Sequence, residues 1–291
     1  EELNPIIYSN QKLLYDALYH AASATLNELA KDAKYLGANI GYICILHTWG
    51  SAMNYHPHIH TIVLGGGLDD ENKWKETGGK FFLPYGVISK VFRGKYLDEL
   101  KSLWNDSKLK FHGTAEKYQN SYRFKELLDK CYEKNWVTYC KETFNGAQSV
   151  INYLGKYTHR IAISNHRIKS MTDTTVTYVV KDYKNEGCWK EKTISGEEFI
   201  RRFMMHVPPK RFVRIRHYGL LSCRNKRKKI THCRNLLGCK KYISTLKNLN
   251  AVEMIRVLYH IDVCKCSSCG GNMVSPRKDK YSSSFRAHMR C

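Results

Sequence analysis

Two short stretches of the chain hold residue types that could act on a phosphodiester. The first is His56-Pro57-His58-Ile59-His60, which heads a strand-like run reaching Leu64. Alternate residues of a strand share a face, so His58 and His60 project together while Ile59 turns to the apolar side. Two imidazoles so placed can chelate one divalent ion and leave positions open for a phosphate oxygen. A third ligand has to come from elsewhere, and His56, with the right parity but a Pro-bent approach, is a candidate. The second stretch is Asn152-Tyr153-Leu154-Gly155-Lys156-Tyr157-Thr158-His159-Arg160. On a helix, Tyr153 and Tyr157 lie one turn apart on one face. A tyrosine oxygen can attack phosphorus and keep the bond energy in a covalent phosphotyrosine link. Lys156 is close enough in sequence to favour the phenolate or to neutralise the phosphate.

These residues need elements to hold them. Apolar residues recur at helical spacing over 11–36, and Gly37 closes that helix. Asn39–His47 reads as a buried strand, and His58–Leu64 as a second one that ends at Gly65-Gly66-Gly67. Asp69-Asp70-Glu71 follows as an exposed loop. Helices are expected near 88–104 and 121–133, a strand at Trp136–Cys140, and the tyrosine helix at 147–159. From Ile161 to Ile194 short β-branched runs suggest a small antiparallel sheet. Ser195-Gly196-Glu197-Glu198 is a capping-box sequence that opens a helix to about Met205. The histidine and tyrosine motifs are each shared with ordinary packing residues, since 20 tyrosines make i, i+4 pairs common. Their joint occurrence is what points to chemistry.

Charge names the partner. Forty-eight Lys and Arg stand against 26 Asp and Glu, a net +22. Such an excess attracts a polyanion and makes the affinity salt-dependent. No apolar run approaches the roughly 20 residues that span a bilayer, so a nucleic acid is favoured over a membrane. Candidate DNA contacts are Arg160, Arg167, Arg201, Arg202, Lys210, Arg211, Arg214 and Arg216, interleaved with Phe203, Phe212 and Tyr218 as stacking surfaces for single strands. His47, Trp49 and His159 stand beside the two motifs and could orient a ligand or the DNA. Of 11 cysteines, Cys264, Cys266 and Cys269 have metal-like spacing and suggest part of a zinc knuckle, with His260, His288 and Cys291 as possible further donors. The chain opens on Glu1-Glu2-Leu3, without a Met or an export-type leader. It is read as intracellular and as starting inside a longer protein.

Longer motifs carry a resemblance. His56–Gly67 and Tyr153–Ile168, together with Ile45–Gly50 and Phe199–Ser222, are similar to the two-tyrosine rolling-circle transposases of bacterial insertion sequences, in the HUH superfamily. The likeness runs from about residue 3 to about residue 240. It implies an α+β fold in which an antiparallel sheet flanked by helices sets the histidine strand against the tyrosine helix. It also implies metal binding by His58 and His60, and attack by Tyr153 and Tyr157 with Mg²⁺ or Mn²⁺ as cofactor. The activity implied is nicking and rejoining of single-stranded transposon ends and target DNA in the bacterial cytoplasm, at the nucleoid. The family usually carries a Cys-rich zinc module before the first helix, and this chain begins at that helix. Expected domains are a nuclease core at 1–165, a β-rich and then basic DNA-contacting region at 166–260, and a Cys-containing tail at 261–291. A replication-initiator or relaxase-like nickase would use the same chemistry. A non-catalytic basic nucleic-acid-binding protein would form no covalent adduct.

Overall fold

The computed structural model describes residues 1–77, 83–140, 147–158, 162–182, 186–224, 226–239, 246 and 248–273. The chain forms two units, Glu1–Cys233 and Arg234–Cys291. In chain order the first unit holds α1 (Asn4–Ser9), α2 (Gln11–Lys31), β1 (Asn39–Trp49), β2 (Tyr55–Leu68), β3 (Trp74–Glu76), α3 (Tyr85–Asn105), α4 (Ser121–Glu133) and α5 (Ala147–Thr158). There follow β4 (Ile168–Met171), β5 (Thr175–Asp182), β6 (Cys188–Ser195), α6 (Gly196–Met204), β7 (Ile215–Gly219) and α7 (Lys226–Leu236), which runs into the second unit, where α8 (Ala251–Tyr259) lies. The fold is α+β. No helix among the described residues is long and apolar enough to cross a membrane.

The main sheet is antiparallel, in the order β3-β2-β1-β7. β1 is rich in Ile, Tyr and Trp, which suit a pleated surface, and it is buried along nearly its whole length, as a central strand must be. Its alternate residues Ile40, Tyr42, Cys44 and Leu46 join Ile59 and Val63 of β2 in the main core. Onto that face α2 lays Leu14, Leu18, Ala21 and Leu29, with Leu97 and Leu100 of α3 and Phe124 and Leu127 of α4 behind them. Each fully buried Leu or Phe contributes roughly 1.5–3 kcal/mol. The helical layer therefore occupies one face of the sheet. Strand parity sends His58 and His60 to the other.

Glycines let the strands close up at the far end of the sheet. A Cβ on Gly67 would sit 2.5 Å from the Asn39 carbonyl oxygen. Gly219, at the end of β7, has φ +57, and a Cβ there would lie within 1.9 Å of the Ile40 oxygen. Gly65-Gly66-Gly67 thus continue β2 instead of ending it, and β3 pairs there, Gly66 opposite Glu76.

The second sheet, β4-β5-β6, falls within the β-branched run read from the sequence. With α6 it packs Tyr178, Val180, Phe199 and Phe203 against Met53 and Ala52 of the β1–β2 turn. That turn is also held by hydrogen bonds, from Lys181 N to Ser51 Oγ at 2.6 Å and from Arg202 Nη1 to the Ala52 oxygen at 3.0 Å. Ser195 caps α6 as expected, its oxygen accepting from Glu198 N at 3.2 Å. The Glu198 carboxylate is turned to Arg201 and Arg202 instead of completing the box.

Two element expectations need correction, and one further strand was not expected. The first helix ends at Lys31, and a turn precedes Gly37, whose amide donates to the Asp32 oxygen at 3.1 Å with φ +63. Residues 136–140 pair with no strand. The Trp136 ring packs on Phe92 and Tyr96, its Nε1 donates to the Cys131 oxygen at 3.0 Å, and Thr138 donates to the Tyr85 oxygen at 2.7 Å, so α3 and α4 hold the segment. Finally, the basic stretch after Pro209 supplies β7, a sheet strand whose alternation is masked in the sequence by Arg216 and His217.

Candidate metal and tyrosine site

The β1–β2 hairpin pairs His47 with His58, and Ile45 with His60. Directly opposed residues share a face, so three imidazoles come together: His47, His58 and His60, with one ligand nitrogen from each and all within 4.8 Å of one another. His58 Nε2 and His60 Nε2 are 3.1 Å apart. Two nitrogens bound to one ion at about 2.1 Å stand about 3–3.4 Å apart, so this gap fits a shared cation. His58 Nδ1 donates to the His56 carbonyl at 2.7 Å, which leaves the Nε2 lone pair facing His60. His56 therefore serves through its backbone. Its exposed ring lies outside the group of three, in which His47 stands with His58 and His60.

The site suits a cation electrostatically. Burial lowers the His58 and His60 pKa values to about 4, helped in each case by a neighbouring imidazole. At neutral pH both rings are uncharged and keep their lone pairs, as metal ligands must. Among the described residues the cluster consists of imidazoles alone.

The tyrosine helix meets this cluster. Tyr153 of α5 is half-buried, and its hydroxyl is 3.0 Å from His60 Nδ1. One ring thus presents Nε2 to the histidine cluster and Nδ1 to the phenol. The side chains of Lys156 and Tyr157 lie outside the described residues, as do His159 and Arg160.

Behind the histidines, the Trp49 ring stacks on His47 at 4.4 Å and 19°. The Arg214 guanidinium lies 5.9 Å from the Trp49 ring centre, half-buried, with burial drawing its pKa down. Trp49 also meets the edge of His206, a buried ring set between Thr48 Oγ1 at 3.2 Å and the Met53 oxygen at 3.1 Å. Sequence reasoning missed His206 because nothing local marks it. It belongs to α6's exit and acts across 150 residues of chain.

The remaining cations divide. Arg167 donates to the Val179 oxygen at 2.8 Å and to the Ser51 oxygen, Arg202 bonds Glu198 and Ala52, and Arg216 pairs with Asp16 while lying 4.0 Å over the Tyr19 ring. These three brace the fold. Arg201 pairs with Glu198 at 2.6 Å on the surface, and Lys210 and Arg211 are exposed.

Comparison with known proteins places this arrangement. Residues 41–229, which contain all three histidines and Tyr153, match the family described as "Putative transposase". The chain is 40% identical over 239 residues to "Putative transposase y4qJ" of Sinorhizobium fredii, covering 82% of this chain and 60% of that protein. It is 28% identical over 277 residues to "Transposase for insertion sequence element IS801" of Pseudomonas savastanoi pv. phaseolicola, covering 94% of this chain and 64% of that protein. The chain thus spans less than two thirds of the length of either relative. No solved structure matches it significantly. With the family model covering well over half its length, the chain belongs to the "Putative transposase" family.

Proposed function

We propose that this chain is the catalytic part of a transposase that cuts and rejoins single-stranded DNA through a 5′-phosphotyrosine link, at a site built on His47, His58, His60 and Tyr153. The observation that carries the reading is the His60 ring, shared between the histidine cluster and the Tyr153 hydroxyl. His58 and His60 would hold a cation through Nε2, and the His60 Nδ1 proton would then be donated to the Tyr153 oxygen. That oxygen is thereby oriented, and negative charge developing on it is stabilised. When bound, Mn²⁺ or Mg²⁺ would polarise the scissile phosphate as a Lewis acid.

Tyr153 then attacks phosphorus in line with the 3′ oxygen. The Tyr–O–P bond forms, the P–O3′ bond breaks, and the phenol proton is passed to the departing 3′ oxygen through solvent. Rejoining is the reverse attack by a new 3′-hydroxyl, which needs no nucleotide cofactor because the phosphoester bond has been kept. Arg214, beside Trp49, is a cation placed to receive substrate phosphate. Tyr157, one turn along α5, is the second nucleophile of the proposal. Both relatives are named as transposases, which supports DNA transposition over simple nicking.

The test is incubation of the full chain with labelled single-stranded DNA and Mn²⁺. A denaturation-resistant protein–DNA band is expected, abolished by the double substitution Tyr153→Phe/Tyr157→Phe. An adduct that survives the double substitution would overturn the nucleophile assignment. No metal-dependent adduct on any strand would favour a binding protein without catalysis.

A further inference from the structure

A tryptophan stands two residues after His47, and the proposed reaction gives it no task. His47 and Trp49 share one face of β1. Side chains so spaced leave a strand about 6.7 Å apart. The two ring centres nevertheless stand 4.4 Å apart at 19°, so the rings lean together into a parallel stack. Three contacts hold the indole in turn. Trp49 pairs with Tyr55 across the hairpin, beside the register shift that follows His47. The His206 ring, 2% exposed, meets the indole at 66° and 6.1 Å, and is itself set between Thr48 Oγ1 and the Met53 oxygen. The Arg214 guanidinium lies 5.9 Å from the indole centre.

From this stack we infer that Trp49 is a positioning residue for the metal centre, holding the His47 imidazole in the orientation that binds the cation. The inference rests on the metal reading of the histidine cluster. The donor lone pair of an imidazole lies in the plane of its ring, so what fixes the plane fixes where the nitrogen points. Contacts behind a ligand ring thereby set its hold on the metal. At His58 and His60, hydrogen bonds to the His56 oxygen and the Tyr153 hydroxyl contribute such an orientation. At His47 a flat indole lies against one face, while the His58 and His60 rings stand at 79° and 64° to it. His47 is 4% exposed, so this packing is not diluted by solvent. A leucine at position 49 would keep apolar bulk there but offer no flat surface, and the His47 ring would turn more freely. His206 extends the effect across the fold, because it ties the exit of α6 to the indole.

The test titrates Mn²⁺ calorimetrically into the full chain without DNA. Trp49→Leu is expected to weaken binding on the order of tenfold, whereas Trp49→Phe, which keeps a flat ring, should bind as the native chain does. In the His47→Ala background Trp49→Leu should weaken binding no further, because two residues acting through one contact do not add. Unchanged affinity in Trp49→Leu, an equal loss in Trp49→Phe, or a full further loss in the His47→Ala background would each overturn the assignment. If Trp49→Leu fails to fold, tryptophan emission decides. Co²⁺ bound at the cluster should quench the Trp49 part of the native emission. That quench should shrink in Trp49→Phe while its Co²⁺ uptake stays native in calorimetry. A quench undiminished in Trp49→Phe, or a loss of Co²⁺ uptake there, would contradict the inference. Since metal binding is read without DNA, a missing covalent adduct leaves this test standing. A native chain that takes up no Mn²⁺ would overturn the metal reading and this inference with it.

Discussion

At the scale of single residues, His60 is the hinge of the account. Its two nitrogens face different partners, His58 at 3.1 Å and Tyr153 at 3.0 Å. Removing a ligand should therefore act on metal affinity, and removing the phenol should act on covalent chemistry. His47→Ala is expected to weaken Mn²⁺ binding on the order of tenfold or more in calorimetric titration. His56→Ala should leave that binding unchanged, since its ring is outside the group and its carbonyl remains. Equal losses for the two variants would contradict the ligand assignment. The shared face of His58 and His60 could be read from parity alone, because a strand's period of two needs no tertiary information. The place of His47 beside them could not. Its place opposite His58 depends on hairpin register, and a register shift between His47 and Trp49 hides that register from any count of residues across the turn.

At the scale of elements, the hairpin is held by β7 and by the exit of α6, and each hold has a measurable consequence. Gly219 allows β7 to close on β1, with its Cβ position filled by the Ile40 carbonyl. Gly219→Ala should destabilise the fold by more than about 1 kcal/mol in denaturant unfolding, since it adds both a clash and a positive-φ penalty. A neutral result would mean that β7 is not fixed there. His206 ties α6's exit to the turn, and burial holds its pKa below the usual histidine value of 6.5, as it does for His58 and His60. Groups with depressed folded pKa values take up protons more readily when unfolded. Stability is thus full above about pH 6.5 and falls as pH drops toward the folded values, about 4 for His58 and His60. Unfolding curves between pH 7 and pH 5 should show this decline, and His206→Asn should shallow it by at most about 1.4 kcal/mol per pH unit. An unchanged slope would remove His206 from the explanation. Helices α3 and α4 could be read from the sequence because their apolar stripes are local. β7 and the extended segment at 136–140 could not, because what they pair with or pack on lies far off in the chain.

At the scale of the whole molecule, the proposal gives the net charge of +22 the task of binding the polyanion and the histidine cluster that of chemistry. The two are separable. Lys210→Ala/Arg211→Ala should lower the slope of log affinity against log salt by roughly 1.4 for single-stranded DNA if both contact phosphate. His58→Ala/His60→Ala should leave that slope intact while removing metal-dependent cleavage. An unaltered slope in the Lys210/Arg211 variant would place the phosphate contacts elsewhere on the basic surface. Metal, phenol and DNA meet only in the complete reaction, and one measurement reads all three. The covalent adduct formed with single-stranded DNA and Mn²⁺ is digested, and the nucleotide-bearing peptide is sequenced by mass spectrometry. The account predicts a phosphodiester remnant on Tyr153, formed only with metal and lost in His60→Ala. An adduct confined to a residue outside α5, or one on Tyr153 that forms equally well without metal and in His60→Ala, would contradict it.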